Sequence, residues 1–495
     1  MMSLLYSKNE LPVPQNETAC PIPHELMLDE VFLEICPDVN SREYFLKILA
    51  CSLSEEADIY YRREILTDFM QNTSVLFKLE ELFKKLNLTL DDYYEKERQN
   101  IVVSNNRFSE SSVYVYGSKL QIGAIYLSDL CAQLREISLY FESLSFKSKG
   151  LESLKERFAC FARSDELNKI IDICQKYENF SYHKNINLHL LLDDESRINS
   201  ASFVGNDTKE ESADGQKNAF SLFKRFRKDE SEENTVLPPA RLSQSESNIL
   251  IGNAINYLSS AFSKIIKSIS EEFKELCREL VFYIVSANYI KYLEQLRVGY
   301  VYANISKNGE ISASELYDIF LVGYNRTTDK VVPNDFFIPE KAEGMLIKGA
   351  NSSGKTVYLR SVATALILTM AGLPIPAKEA KIPVCSLFML FASKEKGLNE
   401  SVADAGRFEE EVRDFSQILD KIKPGSFVML NEIFQTTAYS EGAEGLYYIL
   451  KYLSRKNVKW LLVTHMLGIF DLFDGDEAVK IEFCEKTHKA EYLNF

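Results

Sequence analysis

The chain has no Cys-x-x-Cys pair, and its nine cysteines are odd in number and scattered. That excludes a disulfide framework and offers no zinc-ligand spacing, so a reducing compartment is expected. The N-terminal stretch MMSLLYSKNELPVPQ lacks a basic region followed by an apolar core and does not read as a secretory leader. Long apolar runs are missing as well. The longest uncharged one, 361–377, contains Gly372, Pro374 and Pro376 and is too short to span a bilayer. A soluble, cytoplasmic protein with no membrane contact is therefore expected. Positive charge is also scarce, with 57 Lys and Arg against 72 Asp and Glu and a net charge of −15. Such a balance argues against a chain-wide nucleic-acid footprint, which is usually basic. It leaves room for a local one: 220–228, FSLFKRFRK, gathers Lys224, Arg225, Arg227 and Lys228 with no acid among them.

No internal repeat is evident, and 495 residues exceed what one core accommodates, so roughly two to four domains are expected. From about 26 to 177 apolar pairs such as Ile65-Leu66, Phe69-Met70, Leu76-Phe77 and Leu82-Phe83 recur at spacings of three and four, the signature of a helical body. Between 186 and 204 the text shortens into strand-like runs, INLHLLLDDE and then SASFV. From 205 to 247 it turns polar, charged and proline-containing, as a linker or insertion does. The stretch 253–298 has neither glycine nor proline, and Ile255, Leu258, Phe262, Ile265, Ile269, Phe273, Leu276 and Leu280 fall at steps of three and four. At ~1.5 Å per residue an unbroken helix there makes a rod of roughly 70 Å, suited to coiled-coil-like packing and to transmitting motion. After Tyr300 strands alternate with helices: strands are predicted at 345–348, 427–430 and 460–464, and helices from Lys355 and over 409–421. This order implies a parallel sheet that binds ligands at the carboxyl ends of its strands.

Gly349-Ala350-Asn351-Ser352-Ser353-Gly354-Lys355-Thr356 follows the apolar run Met345-Leu346-Ile347 and opens a helix. It satisfies G-x-x-x-x-G-K-[ST] in the strand-to-helix context that pattern requires. Glycines let backbone N–H groups curl around an anion, and the helix start adds its positive dipole end. Lys355 then reaches β- and γ-phosphates, and Thr356 offers a hydroxyl to Mg²⁺. These eight residues are the expected ATP cradle. Hydrolysis needs in addition an acidic pair at the end of a neighbouring strand. SFVMLNE supplies Asn431 and Glu432 there. Asn431 can accept from a metal-bound water but brings no charge, so Mg²⁺ should be held less tightly and turnover should be slow. Glu432 is the candidate base or water-orienting group. His465, after the run KWLLVT, is placed to sense the γ-phosphate, whereas His24, His183, His189 and His488 show no ligand spacing.

The expected architecture is an α/β P-loop ATPase domain over 306–495, a parallel-rich sheet flanked by helices. It is joined to a mainly α-helical core or lever domain over 26–305, which includes the strand segment 185–204 and the charged insertion 205–247. An N-terminal tail occupies 1–25.

In chain order, VPND at 332–335, GANSSGKT with Tyr358 and Arg360 beyond it, GLPIPA at 372–377, EVRDFSQIL at 411–419, NEIFQTTAYSEG at 431–442 and Thr464-His465 resemble the MutS family of DNA mismatch-repair ATPases. IYYRRE at 59–64 is similar to the start of that family's helical core, and INLHLLLDDE to the strands leading toward its DNA clamp. A transporter-type ATPase would instead carry an LSGGQ-like stretch, which is absent. The resemblance implies ATP and Mg²⁺ as cofactors, DNA as partner, and a homodimer closing through the ATPase domain. No Phe-x-Glu wedge precedes the core and the residues before about 25 leave no room for the family's mismatch-reading and connector domains. Mismatch recognition of the usual kind is therefore not expected. The clamp is short, and Lys224, Arg225, Arg227 and Lys228 within it are candidate DNA contacts. The serine that the family's second subunit presents to the γ-phosphate falls on Gly406, beside Arg407, and the adenine-side aromatic falls on Val331. Phe495 precedes the family's dimer-forming C-terminal helices, so either other surfaces dimerise the protein or the chain is shortened. The implied function is an ATP-dependent DNA-binding protein of DNA repair or recombination. The alternatives are a nucleotide-gated dimerisation or interaction protein that does not bind DNA, and an ATP binder with very weak hydrolysis.

Overall fold

A computed structural model describes residues 3–7, 22–51, 53, 55–105, 112–178, 188–192, 198–203, 244–350, 353–392, 400–434 and 439–483. The basic cluster Lys224, Arg225, Arg227 and Lys228 lies outside the described residues, as do Asn351 and Ser352. The chain divides into two compact units, one made of Met1–Phe77, Lys147–Gly150 and Arg278–Phe495, the other of Lys78–Phe146 and Leu151–Cys277.

The helices are α1 (Leu28–Ile35), α2 (Val39–Ala50), α3 (Glu56–Gln71), α4 (Thr73–Asn105), α5 (Ser112–Glu142), α6 (Lys149–Ala162), α7 (Asp165–Glu178) and α8 (Gln244–Gln295) in the first part of the chain. The second unit is helical, built from α4 beyond Phe77, α5, α6, α7 and α8 up to Cys277, with an antiparallel hairpin of β1 (Leu188–Leu192) and β2 (Ile198–Phe203). Its interior is aromatic: Phe141 stacks on Phe158 at 5.3 Å, and Phe273 meets the edge of Phe83 at 6.0 Å. The long helix starts earlier than the sequence pattern predicts. A lone glycine in a helix costs only about 1 kcal/mol relative to alanine, so Gly252 is no stop. At the other end Arg297 turns left-handed and Val298 N bonds back to Leu293 O, closing the helix three residues before the predicted end at 298.

The first unit holds α1–α3, the end of α8, and the α/β portion. There the strands are β3 (Asn304–Ile305), β4 (Ile311–Leu316), β5 (Asn334–Ile338), β6 (Gly344–Lys348), β7 (Glu379–Ile382), β8 (Leu387–Phe391), β9 (Phe427–Asn431), β10 (Lys459–Val463) and β11 (Val479–Phe483). Helices α9 (Ile319–Asn325), α10 (Lys355–Met370), α11 (Glu400–Lys421), α12 (Tyr439–Arg455) and α13 (Leu467–Leu472) alternate with them. Five strands form a parallel sheet in the order β11-β6-β10-β9-β8, and four more form a mixed sheet, β3-β7-β4-β5. Because side chains alternate along a strand, Leu346, Val428, Leu430, Trp460 and Leu462 face one way. They make a core with Phe415 and Ile418 of α11, Leu446 and Leu450 of α12, and Ile469 of α13. Helix α10 lies against β10, and its own apolar residues belong to neither that cluster nor the surface. On the other face, Gly344 at the start of β6 leaves room for the Trp460 ring, since a Cβ there would stand 2.2 Å from it.

Residues 3–7 of the expected N-terminal tail are packed into this unit. Leu4 is fully buried, Glu279 accepts from Ser3 Oγ and from Leu4 N, and Arg62 Nε donates to Leu5 O at 3.0 Å. Helix α9 is tied to α10 by a buried ion pair from its N-cap, Arg360 Nε to Asp318 Oδ2 at 2.6 Å.

Candidate functional site

Strand β6 ends at Lys348, and α10 begins at Lys355. Gly354 occupies the N-cap with φ +95, a left-handed conformation that glycine adopts without a Cβ penalty. The first helical hydrogen bond runs from Tyr358 N to Gly354 O, so the N–H groups of the first turn point toward the loop. Ser353 N donates to Ala350 O at 3.2 Å, closing the loop on itself. Lys355 is 6% exposed, and its ammonium donates to Gly349 O at 2.8 Å and Ala350 O at 3.0 Å. Thr356, next to it, is exposed.

The register of the sheet brings the remaining candidates to the same edge. Ile347 of β6 pairs with Val463 of β10, and Val463 pairs with Asn431 of β9. The residues one step further along, Lys348, Thr464 and Glu432, therefore leave the sheet side by side at its carboxyl end. Glu432 N donates to Val463 O at 2.9 Å, and the chain then turns sharply, because Glu432 and Phe434 both take positive φ, +56 and +59. The turn directs the Glu432 carboxylate to His465 Nε2, 2.9 Å away. On the histidine side, Thr464 is buried and its Oγ1 accepts from Met466 N, which fixes the bend that carries His465. Partial burial and the Lys355 ammonium push the His465 imidazole below its usual pKa. The contact is then a hydrogen bond from the protonated Nε2 of a neutral imidazole to Glu432.

Asn431 is 4% exposed, and its Oδ1 has no hydrogen-bond partner among the described residues. A buried acceptor left in this state costs about 1–3 kcal/mol, and accepting from a metal-bound water would satisfy it. No cluster of three or more His, Cys, Asp or Glu suited to a metal exists among the described residues. The Thr356 hydroxyl and the Asn431 amide oxygen are oxygen donors of the kind that would suit Mg²⁺. Gly406 and Arg407 fall within α11, and Val331 is buried.

Two residues that carry the resemblance but have no role assigned from the sequence lie next to these elements. Glu411 of α11 is buried, and its Oε2 accepts from Phe434 N at 2.7 Å. Its signal was present in the helical spacing: Glu411 precedes Phe415 and Ile418 by four and seven residues, an acid on the apolar face. Tyr358 of α10 donates through its hydroxyl to Asp335 O and Glu482 Oε2, at 3.2 and 3.3 Å.

Comparison with known proteins meets this geometry. A family described as MutS domain V matches residues 345–495, beginning in β6, and one described as the MutS2 N-terminal domain matches 54–296. The chain belongs to the MutS family. Among curated MutS relatives, the DNA mismatch repair protein MutS of Fervidobacterium nodosum is 27% identical over 219 residues, which cover 42% of this chain and 26% of that protein. Endonuclease MutS2 of Caldicellulosiruptor bescii is 33% identical over 169 residues, 33% of this chain and 21% of that protein. The DNA mismatch repair protein MutS of Clostridium botulinum is 30% identical over 196 residues, 37% of this chain and 20% of that protein. The chain thus matches about a fifth to a quarter of the length of these MutS relatives. No helix among the described residues is long and apolar enough to cross a membrane.

Proposed function

We propose that this MutS-family chain is a slow, Mg²⁺-dependent ATPase that binds DNA, acts in DNA repair or recombination, and uses nucleotide state to set its long helices. The observation that carries this reading is the row Ile347, Val463, Asn431 across the sheet, which brings Lys355, His465 and Glu432 to one edge. Residues 349–354 and the first turn of α10 cradle the phosphates with backbone N–H groups and the helix dipole. Lys355 exchanges the carbonyls of Gly349 and Ala350 for β- and γ-phosphate oxygens. Thr356 and, through water, Asn431 would hold Mg²⁺, which when bound supplies charge neutralisation across the phosphates. Glu432 orients and deprotonates the attacking water, and neutral His465 fixes that carboxylate while facing the γ-phosphate. An asparagine at position 431 weakens the hold on the metal and makes turnover slow. The protein is expected in the cytoplasm, as a homodimer closing through the α/β portion, with Lys224, Arg225, Arg227 and Lys228 contacting DNA phosphates.

The test is binding of ATP with Mg²⁺ to the parent and to Lys355→Ala, together with retention of duplex, branched and single-stranded DNA at two salt concentrations. Affinity for ATP that disappears in Lys355→Ala, and DNA retention that falls with salt, support the reading. Absence of ATP binding in the parent overturns it. The net charge of −15 favours a second reading, a nucleotide-gated interaction protein that does not bind DNA. In that case ATP changes the mass seen by light scattering, while no DNA is retained and none alters turnover.

A further inference from the structure

We propose that Glu411 is a positioning residue for hydrolysis: through the backbone of Phe434 it holds the left-handed turn that aims Glu432 at His465. This rests on the reading of Glu432 as the water-orienting group. Glu411 sits in register with Phe415 and Ile418 of α11, both part of the core beneath the sheet. A carboxylate in that register adds desolvation cost and little packing. What it gains is the charge-assisted hydrogen bond from Phe434 N at 2.7 Å. The same helix also takes the Phe434 ring, which meets Phe415 edge-on at 6.3 Å. Helix α11 thus grips Phe434 by backbone and by side chain.

Between that grip and β9 lie Glu432 and Ile433, and Ile433 is fully buried. Glu432 is pinned from the other side by its amide on Val463 O at 2.9 Å. Neither left-handed residue is a glycine, and each such conformation costs ~1–3 kcal/mol, so it persists only where neighbours over-determine it. The turn is over-determined by β10 at one end and α11 at the other. Release of the α11 end lets Glu432 relax toward ordinary backbone angles and carries its carboxylate away from His465. The Lys355 loop opens a different helix, α10, so the structure gives phosphate binding and hydrolytic geometry separate supports.

The experiment follows the His465 imidazole by NMR of ¹³C-labelled histidine, with His465→Gln identifying its signal, in the parent, Glu411→Ala, Glu411→Gln and Glu432→Gln. Steady-state turnover and affinity for a fluorescent ATP analogue with Mg²⁺ are measured on the same proteins. Glu411→Ala is expected to displace the His465 titration in the same direction as Glu432→Gln. It should lower kcat about 100-fold, as a misplacement of about 1 Å does, and leave analogue affinity within about threefold. Glu411→Gln keeps an oxygen that accepts from Phe434 N and should stay near the parent in all three readouts. A parent-like His465 titration in Glu411→Ala would overturn the proposal, as would a loss of analogue affinity matching the loss of kcat. The titration is read without nucleotide, so failure of the parent to bind ATP would show itself separately, as failure of the function proposed above.

Discussion

Replacing Asp318 by alanine is expected to destabilise the unit that carries the candidate site by about 4 kcal/mol. Asp318 is 2% exposed, and one carboxylate oxygen accepts from Leu321 N at 3.0 Å, capping α9. The other oxygen takes Arg360 Nε at 2.6 Å, and the Arg360 guanidinium lies 4.9 Å from the centre of the Phe320 ring. Losing the cap costs about 1 kcal/mol. Stranding a buried guanidinium costs about 3–5 kcal/mol, of which the Phe320 ring returns about 1 kcal/mol. Asp318→Asn keeps an acceptor for Leu321 N and should lose about 3 kcal/mol, the ion-pair part alone. The assay is urea denaturation followed by tryptophan fluorescence, because the single tryptophan, Trp460, is fully buried in β10 of the same unit. A double-mutant cycle with Arg360→Met isolates the pair. The reasoning is refuted if Asp318→Ala unfolds within about 1 kcal/mol of the parent, or if the cycle gives a coupling below about 1 kcal/mol. The pair matters beyond stability, since Arg360 lies on the helix that Lys355 begins.

Glu432→Gln is expected to bind ATP with parent affinity and to turn it over at least ~100-fold more slowly, the usual worth of a general base. Retained radiolabelled ATP measures this, and equal turnover contradicts the assignment. His465 carries the pH dependence. Its folded pKa is depressed below the usual 6.5, so the folded chain holds the ring neutral and binds fewer protons than the unfolded chain as pH falls. The stabilising contribution is therefore complete above 6.5 and is lost as pH drops through the lower folded value. Turnover should show an acid limb below 6.5 that His465→Gln removes; a limb centred above 6.5 excludes the neutral-imidazole role. Replacing Lys224, Arg225, Arg227 and Lys228 together by alanine should flatten the slope of log K against log salt by ~0.9 for each duplex phosphate they no longer neutralise. An unchanged slope removes that segment from DNA binding.

Strand and helix positions near the candidate loop were legible because local signals agree there. Met345, Leu346 and Ile347 form a short apolar run before glycine, and the strands at Val428 and Leu461 read the same way, as strands buried on both faces do. The start of α11 is not legible in the sequence: Gly406 invites a stop, yet the helix begins at Glu400 and passes through it. The packing of Leu4 and Leu5 could not be read from the sequence. The acceptor of the Leu4 amide is Glu279, more than two hundred residues away, and a short apolar pair near a terminus carries no periodicity.

The chemistry of the site was legible as residue types, while its strain was not. Most other non-glycine residues with positive φ have ordinary places. Arg297, Arg326 and Asn457 follow helices, where a left-handed residue closes the last turn, and Glu315 sits in the irregular register of β4 against β5. Glu432 and Phe434 follow a strand instead, beside Asn431, whose buried oxygen has no partner among the described residues. Two left-handed residues at ~1–3 kcal/mol each and an orphan acceptor at ~1–3 kcal/mol are concentrated at the carboxyl end of one strand. Packing against β10 and α11 holds the two left-handed residues in place, whereas it supplies no partner for the Asn431 oxygen among the described residues. The register that puts Asn431 level with Val463 and Ile347 places this strain beside Lys355 and His465. Under the function proposed above, a water shared between a metal ion and a phosphate would meet Asn431 and Glu432 together and would satisfy that orphan oxygen.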